Sequence, residues 1–280
     1  MIALHPDDGG YPAALRDPGP APDPLWIDGD AAVLDRPSVA IVGTRRMSPY
    51  GERVARELAA GLAAAGAVVV SGLAQGIDCA AHASAVGAGG ASVAVLGEGI
   101  TSFLANAHGR RRRLAMTLRE RGALVSPYPP MVPAHGWMFA KRNAVIAALA
   151  RAVVVVEAPA GSGALITAAA AIRLGRPLFA VPGPIGARTS EGTNALIAAG
   201  TARACLGADA VGAAIGITAA RTFLDADPLL EALAGGPLDL DELARHTRID
   251  RGALRAHLVK LVLAGTIADR GDGRYGLGQV

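Results

Sequence analysis

The stretch Ser38-Val39-Ala40-Ile41-Val42-Gly43-Thr44-Arg45-Arg46-Met47-Ser48-Pro49-Tyr50-Gly51 decides the fold. Val39–Val42 is short, apolar throughout and bounded by turn signals, which marks a strand buried on both faces. Gly43 ends it. Ser48 then offers a helix cap with Pro49 at the first helical position. Val54, Leu58 and Leu62 fall on one face of the helix predicted over Tyr50–Ala65, and Gly66 follows its end. A buried strand that turns through glycine into a helix is the unit of a parallel sheet.

The same unit recurs downstream. Predicted strands are Ala67–Val70, Ser92–Leu96, Ala123–Val125, Ala152–Val156 and Leu178–Val181. Predicted helices are Ile77–Val86, an arginine-rich Asn106–Arg121, Ala140–Ala150, Ala164–Leu174 and Asn194–Ala199. The expected class is α/β: an extended Rossmann-like, doubly wound, mostly parallel sheet with right-handed crossovers. Upstream, Tyr11–Pro24 carries five prolines and reads as an extended lead-in, and Leu25–Ile27 reads as a short edge strand before a turn at Asp28-Gly29-Asp30. Past Gly216 the rhythm changes. Helices at Pro228–Leu233, Leu240–His246 and Arg251–Leu263, a turn at Thr247–Asp250, and strands at Thr266–Ala268 and Arg274–Leu277 around Gly271-Asp272-Gly273 predict a small winged helix. The domain plan is thus an extension over 1–37, a Rossmann-like domain over 38–216 and a winged helix over 222–280.

Composition narrows the function classes. Half of the 280 residues are hydrophobic, mostly Ala and Val, and aromatics make up 4%, which suits helices lying close on a sheet and not disorder. No apolar run has membrane-spanning length, and the polar start Met1–Pro12 carries Asp7 and Asp8, so neither a membrane span nor a signal peptide is expected. Cys79 and Cys205 fit no metal spacing and read as thiols in a reducing cytoplasm. Residues 1–220 hold 19 Lys and Arg against 15 Asp and Glu, and residues 221–280 hold 8 against 9. The body therefore permits an anionic partner, while the tail argues against a strong DNA grip of its own.

Four loops fall at the predicted carboxyl edge of the sheet, where ligands of such sheets bind. In the first, Gly43 lets backbone approach an anion, the helix capped by Ser48 offers its N-terminus, and Arg45 can clamp a phosphate. The second, Ser71-Gly72-Leu73-Ala74-Gln75-Gly76-Ile77-Asp78, favours a nest of N–H groups. Its Asp78 and His82, four residues apart, read as a structural pair ahead of a metal or acid–base pair. The third, Met138-Phe139-Ala140-Lys141-Arg142-Asn143, combines an aromatic for base stacking with two cations for phosphates. The fourth, Glu157–Thr167, places Gly161, Ser162 and Gly163 before a helix, as a phosphate cradle requires. No Walker loop, zinc site, nucleophile elbow or first-turn Gly-x-Gly-x-x-Gly occurs. Arg110–Arg113 reads as a solvated helix face or an addition to a nucleic-acid surface.

Taken in order, these segments resemble the DNA-processing protein A family (DprA, also called Smf). The resemblance rests on Ala40-Ile41-Val42-Gly43-Thr44-Arg45, Val69–Ala74 with Gly76-Ile77-Asp78 and Ala81-His82, and Val93–Gly97. It continues through Phe139 with Arg142-Asn143, Ser162-Gly163 with Thr167-Ala168, Ala180–Gly183 and Gly192–Ile197. It implies a Rossmann-like domain, often followed by a winged helix, that binds single-stranded DNA without catalysis and without a cofactor or metal. It also implies a homodimer and a bacterial recombinase as partner, loaded during natural transformation. Carried over by motif, the DNA-binding residues are Gly43, Thr44, Arg45, Ser71, Gly72, Gly76, Phe139, Lys141, Arg142, Asn143, Gly161, Ser162, Gly163 and Thr167. The chain departs from the family pattern at Ser102-Phe103-Leu104, Ser126-Pro127, Ala144 and Ala148-Leu149-Ala150.

A rival class is a nucleotide phosphoribohydrolase or nucleotide-binding protein on the related lysine-decarboxylase-like fold. Such hydrolases carry a catalytic Glu where this register has Thr167, and a hydroxyl cannot do a carboxylate's work there. On the predicted recognition helix of the winged helix, Arg251, Arg255 and Lys260 share space with Leu254, Leu258 and Leu261. A DNA contact and a dimerisation or docking role both stay open.

Overall fold

The computed structural model describes residues 1–16, 19–218, 228–247, 249–263 and 266–278. Two compact units divide the chain, Met1–Phe223 and Leu224–Val280.

In the first unit, strands β1 (Ile2–Leu4), β2 (Leu25–Gly29) and β3 (Ser38–Val42) precede helix α1 (Pro49–Ala64). Then β4 (Val68–Ser71), α2 (Ile77–Gly87), β5 (Ser92–Val95), α3 (Ile100–Asn106), α4 (Gly109–Arg121) and β6 (Gly122–Ser126) follow. The second half runs α5 (Gly136–Leu149), β7 (Ala152–Val155), α6 (Gly163–Arg173), β8 (Leu178–Ala180), α7 (Glu191–Ala198), β9 (Arg203–Ala204) and α8 (Ala208–Ala214). Nine strands pair in the order β1-β2-β6-β5-β4-β3-β7-β8-β9. All neighbours from β6 to β9 are parallel, and β1 and β2 are antiparallel additions. The chain winds outward from β3 to β6, then returns to place β7 on the other side of β3. That reversal is the topological switch point, where a crevice opens between neighbouring strand ends.

Strand pleating divides the core. Val39, Ile41, Val69 and Val154 point to one face and pack with Val54, Leu58 and Leu62 of α1 and Ile77 of α2. Ala40, Val42, Val70, Val93 and Val155 point to the other and meet Val145, Ile146 and Leu149 of α5 and Ala168 of α6. A third cluster, with Leu73, Leu96, Phe103, Leu118 and Leu124, lies under α3 and α4. Alanines at the helix contacts let the helices sit close on the sheet, as the composition predicts.

Three expectations are corrected. Leu25–Ile27 is not an edge, because β1 pairs along it at Ile2↔Ile27 and Leu4↔Leu25; three residues at the polar N-terminus carry too little pattern to reveal that strand. The arginine-rich helix, α4, starts at Gly109 and not at Asn106, and a further helix, α3, precedes it across the extended Ala107 and His108. The third loop, expected over Met138–Asn143, lies wholly within helix: α5 begins at Gly136, four residues before the predicted start at Ala140. The expected winged-helix start at residue 222 and residue 248 of its turn lie outside the described residues, as do residues 17 and 18 of the lead-in.

The second unit contains α9 (Pro228–Ala234), β10 (Leu238–Asp239), α10 (Leu240–Thr247), α11 (Arg251–Leu263), β11 (Ile267–Asp269) and β12 (Arg274–Leu277). Its strands pair antiparallel in the order β10-β12-β11, over a core of Leu229, Leu233, Leu243, Leu254, Leu258 and Ile267. It is a winged helix. Of the three cations on α11, Arg251 is paired with Asp241 at 2.8 Å, and Arg255 and Lys260 are exposed.

Because each unit closes its own core, residues 1–216 expressed alone should unfold in a single cooperative transition. Circular dichroism during heating would check this; a broad, non-cooperative melt would show that the first unit depends on the second.

Candidate functional site

At the switch point the strand ends of β3 and β7 frame a cavity of about 470 Å³. Gly43, Thr44, Arg45 and Arg46 line it from the loop after β3, and Ala160 to Ala164 from the loop that opens α6. Phe139, Arg142 and Asn143 line it from α5. Hydrogen bonds tie these walls together. Thr44 N donates to the Glu157 carbonyl at 2.8 Å, and Ile77 N donates to the Thr44 carbonyl at 3.3 Å. Asn143 Nδ2 donates to the Gly163 carbonyl at 3.0 Å, fastening the fourth loop to α5.

Arg142 is expected to be an exposed phosphate ligand, and the structure overturns that exposure. Its side chain is buried, and Nη1 donates to the carbonyls of Gly72, at 2.7 Å, and of Val95. Those carbonyls close the ends of β4 and β5, so the guanidinium pins α5 to the sheet edge. Gly72 permits it: a Cβ there would stand 2.6 Å from the guanidinium. Asp78 faces the same charge and accepts from the N–H groups of Gly72 and Ala74 at 3.1 and 3.3 Å. Burial raises the Asp78 carboxyl above the usual carboxylate range, opposed by Arg142 and these N–H groups. Burial also pushes Arg142 down to about 10, opposed by Asp78, so it stays cationic at neutral pH. Ser71 is buried, with Oγ donating to the Ile41 carbonyl at 2.6 Å. Gly76, at φ +86°, lies beneath the first loop, where a Cβ would collide with the carbonyls of Thr44 and Arg45. Ser71, Gly72 and Gly76 therefore shape the cavity from behind and do not line it. Lys141 does not line it either, since it is one helical position from Arg142 and emerges on the outer surface.

The helix N-terminus of the first loop is another correction. The protein's own Glu157 occupies it, buried and accepting from Ser48 N at 2.9 Å and Ser48 Oγ at 2.5 Å. The sequence places Glu157 only at the head of the fourth loop, and nothing in its local pattern marks it as the partner of Ser48, 109 residues away. The start of α6 is different. Ser162 Oγ caps Ala164 N at 3.3 Å, and the cavity opens directly onto Gly161, Ser162 and Gly163. Arg45 and Arg46 are exposed at the opposite rim. Two guanidinium groups approach the half-buried Phe139 ring, Arg45 at 5.6 Å and Arg142 at 5.9 Å from its centroid. Thr167 is buried in the cavity wall. A groove with an open helix start, two exposed cations and an aromatic can hold phosphate and stack a planar base.

The remaining candidates serve the scaffold. His82 is buried, with Nδ1 2.7 Å from Ser92 Oγ. Arg111 donates to the Leu73 carbonyl at 2.9 Å and lies over the Phe103 ring, and Arg112 bonds the Leu104 carbonyl. Arg110 and Arg113 are exposed on α4. Both cysteines are free thiols, pushed up by burial to about 11 for Cys79 and about 12 for Cys205. Among the described residues no group of three or more His, Cys, Asp or Glu could hold a metal ion, and no helix is long and apolar enough to cross a membrane.

Comparison with known proteins matches residues 3–216 to the family described as DNA recombination-mediator protein A, and residues 218–273 to the DprA winged helix domain. The chain belongs to the DNA recombination-mediator protein A family. It is 43% identical over 196 residues to protein Smf of Escherichia coli, covering 69% of this chain and 51% of that protein. It is 41% identical over 207 residues to a putative DNA processing protein DprA of Mycobacterium tuberculosis, covering 69% and 52%. The chain thus spans about half the length of these curated relatives. The solved structure of DNA processing protein A from Streptococcus pneumoniae superposes with a TM-score of 0.70 at 36% identity, covering 76% of this chain and 74% of that one. That of the Helicobacter pylori protein, solved for its single-stranded DNA binding mode, superposes at 0.62 with 29% identity, covering 72% and 89%.

Two outcomes test the division between scaffold and rim. Arg142→Ala strands Asp78 and two carbonyls in the interior, so unfolding free energy should fall by about 3 kcal/mol. Arg45→Ala should change it by less than about 0.5 kcal/mol. Urea titrations measure both.

Burial, reinforced by the Arg142 charge, drives His82 down to about 3 from 6.5. Between those values the unfolded chain binds a proton that the native imidazole refuses, so stability falls as pH drops below about 6.5 and this loss ends near pH 3. The slope approaches about 1.4 kcal/mol per pH unit. Urea unfolding from pH 7.5 to 5 should show this slope, and His82→Gln should flatten it.

Proposed function

We propose that the cavity at the β3–β7 switch point binds single-stranded DNA, and that the chain acts as a recombination mediator without catalysing a covalent step. The observation that carries this reading is the open start of α6 facing Arg45, Arg46 and Phe139 across one groove. N–H groups and guanidinium groups meet phosphates, and the ring offers a stacking plane that an unpaired base can reach and a paired base cannot. Arg45 lies over Phe139 by a contact worth about 0.5–1 kcal/mol at an exposed site, small enough for it to turn toward a phosphate or stack on a base.

Family membership supports the partner and context. The Helicobacter relative's single-stranded DNA binding mode and the recombination-mediator description together favour a role in handing single strands to a recombinase, as in natural transformation. A homodimer in the cytoplasm belongs to the same reading. The non-catalytic assignment draws on the fourth loop: Thr167 takes the place of the hydrolase carboxylate, Asp78 is held by backbone N–H groups, and Glu157 is committed to Ser48. Asp78 lines the same cavity, but its carboxylate is engaged by the N–H groups of Gly72 and Ala74 beside Arg142, and Glu157 is engaged by Ser48.

Fluorescence anisotropy with single-stranded and blunt duplex oligonucleotides across a salt series tests the proposal. The single strand should bind more tightly, and with about four phosphates neutralised its log affinity should fall against log salt with a slope near about −3. Arg45→Glu should weaken binding by about tenfold or more with unchanged melting. Equal affinity for duplex and single strand would overturn the reading.

A further inference from the structure

A second cavity, of about 500 Å³, lies beside the first. Ala140 lines both, so the opening turns of α5 form a low ridge between them. On the far side the walls are Tyr128 and Pro127 from the segment before α5, Lys141 from α5, Arg173 from the end of α6, and Pro20 and Pro22 of the N-terminal segment. Trp137 stands on the ridge, three residues before Ala140 and four before Lys141, positions that share one helix face. It is 60% exposed.

Three features make this a prepared surface. Tyr128 is fixed at both ends: its N–H donates to Ser126 Oγ at 3.1 Å, and its hydroxyl donates to the Met138 carbonyl at 3.0 Å. Its ring meets Trp137 edge to face, with centroids 6.1 Å apart and planes at 89°, which orients the indole while leaving it open to solvent. Lys141 Nζ sits over the indole ring, 5.5 Å from its centroid, so a cation is held at one face of the indole and a base would stack on the other or displace it. Lys141 and Arg173 are both exposed, and the cavity they line holds no acidic side chain among the described residues.

We infer that Trp137, Tyr128, Lys141 and Arg173 form a second nucleotide subsite, in which a single strand leaving the first cavity crosses Ala140, stacks a base on Trp137 and places the next phosphates against the two cations. This inference rests on the single-strand reading of the first cavity. Aromatic planes interleaved with cations suit a nucleic acid without sequence preference, since every base has a π-face and every linkage a charge. The subsite gives Lys141 the phosphate role expected for it, on the other side of the helix from Arg142.

The test uses the full chain carrying Trp26→Phe, so that Trp137 is the one tryptophan left of two, with oligothymidylates of four and twelve nucleotides. The twelve-mer should quench indole fluorescence as it binds, and the four-mer, filling one cavity, should quench it much less. In anisotropy, Trp137→Ala should weaken the twelve-mer about tenfold and the four-mer less than about twofold. Lys141→Gln with Arg173→Gln should flatten the twelve-mer's salt slope by about 1. Twelve-mer binding with unchanged fluorescence and unchanged affinity in Trp137→Ala would overturn the subsite and leave the first cavity's reading intact. Failure of the parent protein to bind either oligonucleotide would overturn both. A shift in sedimentation with Trp137→Ala, without loss of DNA affinity, would also overturn the subsite and make the ridge a contact between copies of the chain.

Discussion

The guanidinium of Arg142, held by backbone carbonyls at the ends of two strands, is the interaction on which the site depends. A parallel sheet leaves its strand-end carbonyls without partners in the ladder, and burying them unpaired is costly. Here one planar cation satisfies two of them, at Gly72 and Val95, while Asp78 balances its charge. Since the same side chain roots α5, it sets where Phe139 and Asn143 stand, and Asn143 in turn fixes the fourth loop. The interior charge is thereby turned into a positioning device, and the cations left exposed are those at the rim, Arg45 and Arg46.

Glu157 does related work on the opposite face. By accepting from Ser48 N and Oγ it supplies the anion that the α1 dipole favours, so that helix start is no longer an open anion site. At the start of α6 the cap acceptor is the neutral Ser162 Oγ, and Glu191 reaches only the loop ahead of it, accepting from Ala160 N at 3.4 Å. Two neighbouring strand–loop–helix turns, alike in sequence style, are thus divided by electrostatics into one closed and one open.

Much of the fold was legible because strand burial and helix periodicity leave strong marks: β3, α1, β7 and the winged helix follow directly from apolar runs, caps and turns. Less was legible where the signal was short or degenerate. Strand β1 is three residues, and α3 has too few turns to show a face. The first turns of α5 hid because Gly136, Trp137 and the adjacent cations suit a loop as well as a helix. Most of the predicted residues do converge on the first cavity. The sequence could not divide Lys141 from Arg142, because adjacent cations differ only by about 100° around a helix, and that rotation sends one inward and one out. Nor could it show that Ser71, Gly72 and Gly76 act from behind the wall, since a glycine that admits a ligand and one that admits a neighbouring side chain read alike.

The fit of Gly72 against Arg142 also bears on how such a chain can change over generations. Any larger residue at 72 meets the guanidinium, and any shorter residue at 142 leaves a hollow and an unanswered carboxyl. The two positions, 70 residues apart, are therefore sterically coupled. A larger residue at 72 fits only beside a shorter one at 142, whereas Arg45, Lys141 and Trp137, exposed at the surface, face no such steric condition.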